Sequence, residues 1–329
     1  MPGHTVSSAP GKIILFGEHS VVYGHPAIVG AINLRAKSYV KSIDDKKIEI
    51  FSKNYGIRSS FSFTELDDFE LRKDDVLLPV AYSAYIAMSF LDQKKGLSIT
   101  IDSDIPKGAG LGSSASVAVA TIHAVSTHLG YQLKKEEISK LAYEAEKLVH
   151  GTPSGIDNTA ATFGGLIYFR KPNNLQRVTL SAELNIIIGD TGVSRQTKVL
   201  VAKVRQLLSK YPNLINSILN TMGNLAELAL TSLKNNDLLS VGALMNINQG
   251  LLYSIGVSHE KLDNLIYAAL HAGAIGAKLT GAGGGGCMFA LVTPKNINKV
   301  AQAIQEHGGQ PYITSLTTKG VTLENSDNK

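Results

Sequence analysis

The stretch Lys107-Gly108-Ala109-Gly110-Leu111-Gly112-Ser113-Ser114-Ala115 is the part of this chain best suited to holding a charged ligand. Three glycines alternate with other residues, then give way to two serines and an alanine-rich apolar run. Glycine lets backbone amides approach a ligand and adopt positive φ at little steric cost. A helix is predicted over 113–128, and Ser113 or Ser114 can cap it. A glycine loop feeding a helix N-terminus aims free N–H groups and the positive dipole end at one spot, as a phosphate requires. The residue order fits neither familiar phosphate fingerprint. A P-loop has a lysine directly before its serine or threonine, and none adjoins these serines. A dinucleotide loop would place the third glycine one residue later. The alternative is a tight turn that binds nothing.

A second glycine loop, Gly281-Ala282-Gly283-Gly284-Gly285-Gly286, does satisfy the dinucleotide spacing. That match is rejected, because an apolar strand, Cys287–Val292, follows it where the fingerprint needs a helix. A strand–loop–strand hairpin fits, with or without a ligand.

Charged residues cluster elsewhere. Lys12, Glu18 and His19 crowd the segment Ala9–Ser20 among short apolar runs. Lysine is a point charge suited to phosphate or a developing alkoxide. A lysine at a surface strand start is the plainer reading. Glu144 and Glu146 sit on opposite edges of a helix predicted over 135–150, each about 100° from the centre of its apolar face. That face carries Ile138, Leu141, Ala142, Ala145, Leu148 and Val149. The helical wheel does not choose between the two glutamates. Asp157 can act as a general base or as an ordinary helix cap. Arg195 lies between a strand end and a helix start, where it can fork onto a carboxylate or make a surface salt bridge. The histidines lack the i, i+4 spacing of a helical zinc pair, and no nucleophile elbow is present.

These residues need elements to hold them. Strands are predicted at 5–8, 13–16, 27–29, 36–43, 47–52, 97–103 and 165–169, with helices at 77–91, 113–128 and 135–150. Beyond residue 174 the texture changes. Strands at 184–189, 277–280, 287–292 and 310–314 alternate with helices at 198–209, 214–234, 237–254, 261–272 and 296–306. The pattern is α+β with mixed sheets, and it divides into residues 1–175 and 176–329. A length of 329 residues agrees with two domains. Hydrophobic residues at 44% and charged residues at 18% fit a folded globular chain. No apolar run spans a bilayer and no signal peptide is recognisable, so a membrane partner is not expected. Cys287 is the only cysteine, which excludes an internal disulfide and agrees with a cytoplasmic setting. The net charge of +5 is scattered rather than gathered in an aromatic-lined strip, so nucleic acid is not expected either.

Taken together, three segments resemble the motifs of the GHMP kinase superfamily, named for galactokinase, homoserine kinase, mevalonate kinase and phosphomevalonate kinase. Ala9–Ser20 resembles its first motif, Asp104–Ser116 its second and Lys278–Met288 its third. Within the superfamily the match is closest to the mevalonate kinases. It is carried by Gly17–Gly24, by the run from Glu146 to Asn158, and by Ser194-Arg195-Gln196-Thr197-Lys198. Galactokinases usually place Asp-Tyr after the histidine, bacterial phosphomevalonate kinases usually have tyrosine in place of His19, and the related decarboxylases lack a counterpart of Lys12. The length looks more like the compact archaeal or bacterial form than the animal one.

The resemblance implies an N-terminal α+β domain with a left-handed βαβ crossover and a ferredoxin-like C-terminal domain. It implies that Gly108, Ala109, Gly110, Leu111, Gly112, Ser113 and Ser114 wrap the phosphates of ATP, with Ser103 a further nucleotide candidate by position. It implies that Ser114 and Glu146 hold Mg²⁺, that Asp157 takes the proton of the substrate hydroxyl, and that Lys12 stabilises that oxygen. Glu18, His19 and Arg195 would help hold mevalonate, Arg195 at its carboxylate. A homodimer acting in isoprenoid biosynthesis is the implied context. The rivals are a sister kinase with another acceptor and a non-catalytic protein on the same fold. The second would be expected to have lost Lys12, Glu146 or Asp157.

Overall fold

The computed structural model describes residues 4–150, 154–170, 174–178, 184–194 and 197–325. Strand β1 (Thr5–Phe16) runs antiparallel to β2 (Ala27–Ser42), and β3 (Lys47–Ser52) forms a hairpin with β4 (Ile57–Ser62). A short helix, α1 (Phe63–Asp67), is fixed by a capping box between Ser62 and Glu65. Then α2 (Leu78–Phe90) leads to β5 (Leu97–Ser103), which lies parallel to β3 and antiparallel to β2. Only a crossover connection permits that parallel pair, and α2 lies within it. Helices α3 (Ser113–His128), α4 (Lys135–His150) and α5 (Ile156–Phe163) follow, and β6 (Leu166–Arg170) and β7 (Asn174–Val178) extend the sheet from β2.

The second half begins with β8 (Asn185–Asp190) and four helices, α6 (Thr197–Lys210), α7 (Pro212–Lys234), α8 (Leu238–Ser254) and α9 (Glu260–His271). The hairpin β9 (Gly276–Leu279) and β10 (Cys287–Leu291), helix α10 (Ile297–Glu306) and β11 (Gln310–Ser315) complete a four-stranded antiparallel sheet ordered β11-β8-β10-β9. Strand order and connections are ferredoxin-like, with extra helices between the first two strands. No described helix is long and apolar enough to cross a membrane.

The last strand, β12 (Thr322–Glu324), leaves this sheet and pairs with β1, making the first sheet eight-stranded. Arg35 secures the return by donating to the Gly320 carbonyl at 2.6 Å and to the Ser8 carbonyl at 3.0 Å. The two halves also share one apolar cluster, in which Phe16, Ile28 and Leu111 meet Leu225, Met245 and Phe289. A shared core of this kind holds the halves in one relative orientation.

Several elements differ from the sequence reading. The predicted strands 5–8 and 13–16 are one strand, because Pro10-Gly11 forms a bulge in the β1–β2 ladder instead of a turn. Strands 27–29 and 36–43 likewise fuse into β2. Strands β4, β7 and β12 and helix α1 had no clear pattern. Helix α3 starts where expected, but its cap is Gly112 in a left-handed conformation, with no side-chain bond from Ser113 or Ser114. On α4, Ile138, Leu141, Ala142 and Ala145 are buried as the wheel predicts, while the side chains of Leu148 and Val149 lie outside those described.

Candidate active site

A cleft of about 650 Å³ runs between the halves, bordered by the loop before α3, by α4, α5 and α6, and by the turn after β1. Such a volume suits a nucleotide and a small acceptor. Gly108, Gly110, Gly112, Ser113 and Ser114 line it. Ala109 and Leu111 do not, since their side chains are packed into the shared core. Their alternation leaves the glycines and the serines on the cleft side, and Ser114 is exposed there. With a glycine cap and no side-chain bond to its first turn, α3 leaves N–H donors available for an anion.

The loop is locked onto β1. The Lys12 amide donates to the Leu111 carbonyl at 2.8 Å, and the Ser116 hydroxyl donates to the Pro10 carbonyl at 2.7 Å. At Gly112, φ is +75°, and a Cβ there would lie 2.9 Å from Cγ of Lys12. The missing side chain is therefore what lets Lys12 pass the phosphate loop. Lys12 is nearly buried, and its ammonium lies 3.3 Å from Oδ1 of Asp157. Asp157 is the second residue of α5, whose cap is Gly155 rather than the aspartate, so the capping reading of Asp157 does not hold.

Glu146 completes the group. Its exposure is 4%, it lines the cleft, and burial together with the negative charge of Asp157 pushes its carboxyl up to about 8, against the pull of Lys12. Glu144, in contrast, has 41% of its side chain exposed and pairs with Lys147 at 2.9 Å. Tertiary packing thus separates the two glutamates that the helical wheel left equal. A buried carboxylate that resists ionisation next to a second carboxylate is a natural cation ligand. Among the described residues no cluster of three or more His, Cys, Asp or Glu is placed to hold a metal. A divalent ion at Glu146 and Ser114 would therefore take much of its coordination from ligand phosphates, as Mg²⁺ commonly does.

The turn after β1 forms another wall. His19 has φ 59° and ψ −47°, and the Ser20 amide donates to the Glu18 carbonyl at 2.6 Å. This is a γ-turn with positive φ at a residue other than glycine, a conformation that costs roughly 1–3 kcal/mol and persists only when its surroundings enforce it. His19 Nε2 lies 2.9 Å from the Ala282 carbonyl, and burial lowers the imidazole below its ordinary range, against that bond and the nearby Glu18. Glu18 lines the cleft region, but its side chain has no exposed surface and both carboxylate oxygens are engaged. One accepts from the ammonium of Lys278 and the other from the Asn248 amide at 3.2 Å. The carboxylate that sequence reading turned toward a substrate is thus turned into the protein. Burial pushes the Lys278 ammonium down, and Glu18 opposes this. Removing one partner of such a pair typically costs about 3–5 kcal/mol.

The second glycine loop contributes Gly281 and Ala282 to the cleft. Gly283, Gly284 and Gly285 answer to packing. A Cβ on Gly283, where φ is +79°, would fall 2.0 Å from the Val257 carbonyl oxygen. Ser103 does not line the cleft. Its backbone exchanges two hydrogen bonds with the Asn54 side chain, 2.7 and 2.9 Å, and its hydroxyl accepts from the Ile105 amide. Arg195 lies outside the described residues, as does Gly151-Thr152-Pro153 ahead of Asp157. Sequence reading gave no role to Lys278 or Asn248. Lysine in a short apolar strand was the only available signal, and it pointed to no partner.

Known proteins resemble this chain along nearly its whole length. Residues 80–165 match the family model for the GHMP kinases N terminal domain, and residues 229–310 match that for the GHMP kinases C terminal domain. The chain is 47% identical to a mevalonate kinase of Pyrococcus abyssi over 98% of this chain and 99% of that one. It superposes on the crystal structure of the Methanococcus jannaschii mevalonate kinase with a TM-score of 0.87 at 28% identity, covering 96% of this chain and 99% of that one. With the L. major mevalonate kinase, solved in complex with R-mevalonate, the TM-score is 0.82 at 26% identity, and 97% of each chain is covered. Two domain models, near-complete relatives and a cleft built from all three glycine-containing segments agree: the chain belongs to the mevalonate kinase family of GHMP kinases.

Proposed function

We infer that this protein transfers the γ-phosphoryl group of ATP to the terminal hydroxyl of mevalonate, giving 5-phosphomevalonate in the mevalonate pathway of isoprenoid biosynthesis. The observation that carries the reading is the Lys12–Asp157 pair, 3.3 Å apart, in the same cleft as the phosphate loop and the buried Glu146. Phosphoryl transfer asks mainly for positioning and charge stabilisation. The free amides before and within the first turn of α3 offer both for the phosphates of ATP.

A primary alcohol is a weak nucleophile near neutral pH, so a carboxylate within reach of its proton helps. Asp157 is that base. Lys12 orients it and balances charge on the reacting oxygen. Glu146 and Ser114 hold Mg²⁺, which when bound neutralises charge on the phosphates. His19 forms the wall at the acceptor end, and Arg195 pairs with the mevalonate carboxylate. The protein acts in the cytoplasm as a homodimer.

The test is ADP release in the presence of mevalonate, phosphomevalonate, galactose and homoserine. Mevalonate alone should support rapid turnover. Preference for another acceptor would place the protein with a sister kinase, and no turnover with any of the four would overturn the reading.

A further inference from the structure

Two residues without a role in the chemistry converge on the strained turn at His19. Lys278, from β9, and Asn248, from α8, each donate to the carboxylate of Glu18, the residue that opens the turn. Lys278 also donates to its neighbouring Leu279 carbonyl at 2.7 Å and lies 5.3 Å from the centre of the Phe289 ring, with no exposed surface. The contact belongs to a series. Thr280 bonds both the amide and the carbonyl of Ile14, at 2.8 and 3.1 Å, and the Ala282 carbonyl meets His19. Lys278, Thr280 and the Ala282 carbonyl thus each bond to the first half of the molecule.

Stability does not explain this cluster. Buried ion pairs are seldom more stabilising than apolar residues of similar volume. Asn248 Oδ1 is buried with no partner, a further unfavourable feature tolerated beside Glu18. Both unfavourable groups serve the same carboxylate, and that carboxylate sits next to the γ-turn with positive φ that borders the cleft. The donor end is secured by different bonds, Lys12 to Leu111 and Ser116 to Pro10.

We propose that Lys278 and Asn248 are positioning residues which, acting through Glu18, hold the turn at His19 and so shape the acceptor end of the cleft without touching substrate. The inference rests on the reading of His19 as a wall of the mevalonate site. It predicts a split between the two substrates. The double variant Glu18→Gln/Lys278→Met removes both buried charges together. It should keep close to the wild-type Tm while raising KM for mevalonate about tenfold and changing KM for ATP less than about twofold. Wild-type Tm with an unchanged mevalonate KM would overturn the proposal, as would a parallel rise in both KM values.

If the double variant does not fold, Asn248→Leu decides. It leaves the ion pair in place but strips one donor from a buried carboxylate oxygen, so Tm should fall modestly while mevalonate KM increases about threefold. The assigned imidazole NMR signals of His19 should move in the same variant. Unmoved signals with an unchanged KM would refute the positioning role. If the wild-type protein does not turn over mevalonate, the proposed function has failed by itself. The His19 signals of Asn248→Leu then judge the positioning role alone, a shift supporting it and no shift overturning it.

Discussion

The two glycine-rich loops have similar compositions and opposite surroundings. A Cβ added to Gly108, in the loop before α3, would meet nothing within 4 Å, whereas one added to Gly283 would overlap the Val257 carbonyl. At Gly108 the absent side chain leaves the cleft wall open, and at Gly112 it makes room for Lys12. At Gly283 it lets the chain pass the Val257 backbone. The proposed function follows the same division. The first loop lines one cleft with Lys12, Glu146 and Asp157, the groups proposed to carry charge toward the reaction. The second anchors β9 and β10 to the turn at His19. Glycine content alone cannot distinguish a binding loop from a packing loop; the element that follows can, a helix after the first and a strand after the second.

If this division is right, glycine substitutions in the first loop should act mainly on catalytic constants and those in the second mainly on stability, while the charged groups beside the first loop have effects of their own. The largest effect is expected at Asp157. Asp157→Asn should lower kcat by about 10²–10⁴ while nucleotide affinity, measured by titration, stays near wild type. A variant retaining wild-type kcat would remove Asp157 as base and with it the chemical half of the comparison.

Glu146 comes next, through pH. An unfolded glutamate ionises near its ordinary 4.5, but the folded one does so at about 8. Between those values the folded state holds a proton that the unfolded state has released, so stability falls as pH rises through that window and levels off above it. The loss between about pH 5 and pH 8 is on the order of 3 kcal/mol. Thermal melts in a chelator should show this slope in the wild type and a flatter one in Glu146→Gln. Parallel curves would deny the buried, metal-ready state of this carboxylate.

Gly283→Ala should destabilise by about 2–3 kcal/mol, read from denaturant melts, because the new methyl group meets backbone at a positive φ. Catalytic constants of the folded fraction should change little by comparison. Gly108→Ala should give the smallest stability change, about 1 kcal/mol from its left-handed backbone, with a raised KM for ATP as its main signature. If Gly283→Ala proved the milder of the two in melts, the contrast between the loops would fail.

Much of this arrangement was legible in the sequence. Helices α3 and α4 have the predicted bounds, and the strands at 47–52 and 97–103 were read residue for residue, because periodicity and local breakers determine them. Lys12, Glu146 and Asp157 were visible as candidates and meet in one cleft. What was not legible depends on long-range contact. The choice between Glu144 and Glu146 needed the packing of α4. The pairing of Glu18 with Lys278 joins residues 260 positions apart, and neither residue type signals the other. The γ-turn at His19 has no signature in composition, since histidine does not announce positive φ. Strand β12 has only three residues, too few for a period-two pattern, and its partner lies at the other end of the chain.

That last pairing has a consequence for how the molecule is made. During synthesis β1, with Lys12 on it, emerges 314 residues ahead of the strand that covers its outer edge. Until residues 322–324 arrive, the edge of β1 offers unpaired backbone groups to any neighbouring chain. The nascent protein therefore carries an open flank on the strand that bears Lys12 for that whole interval.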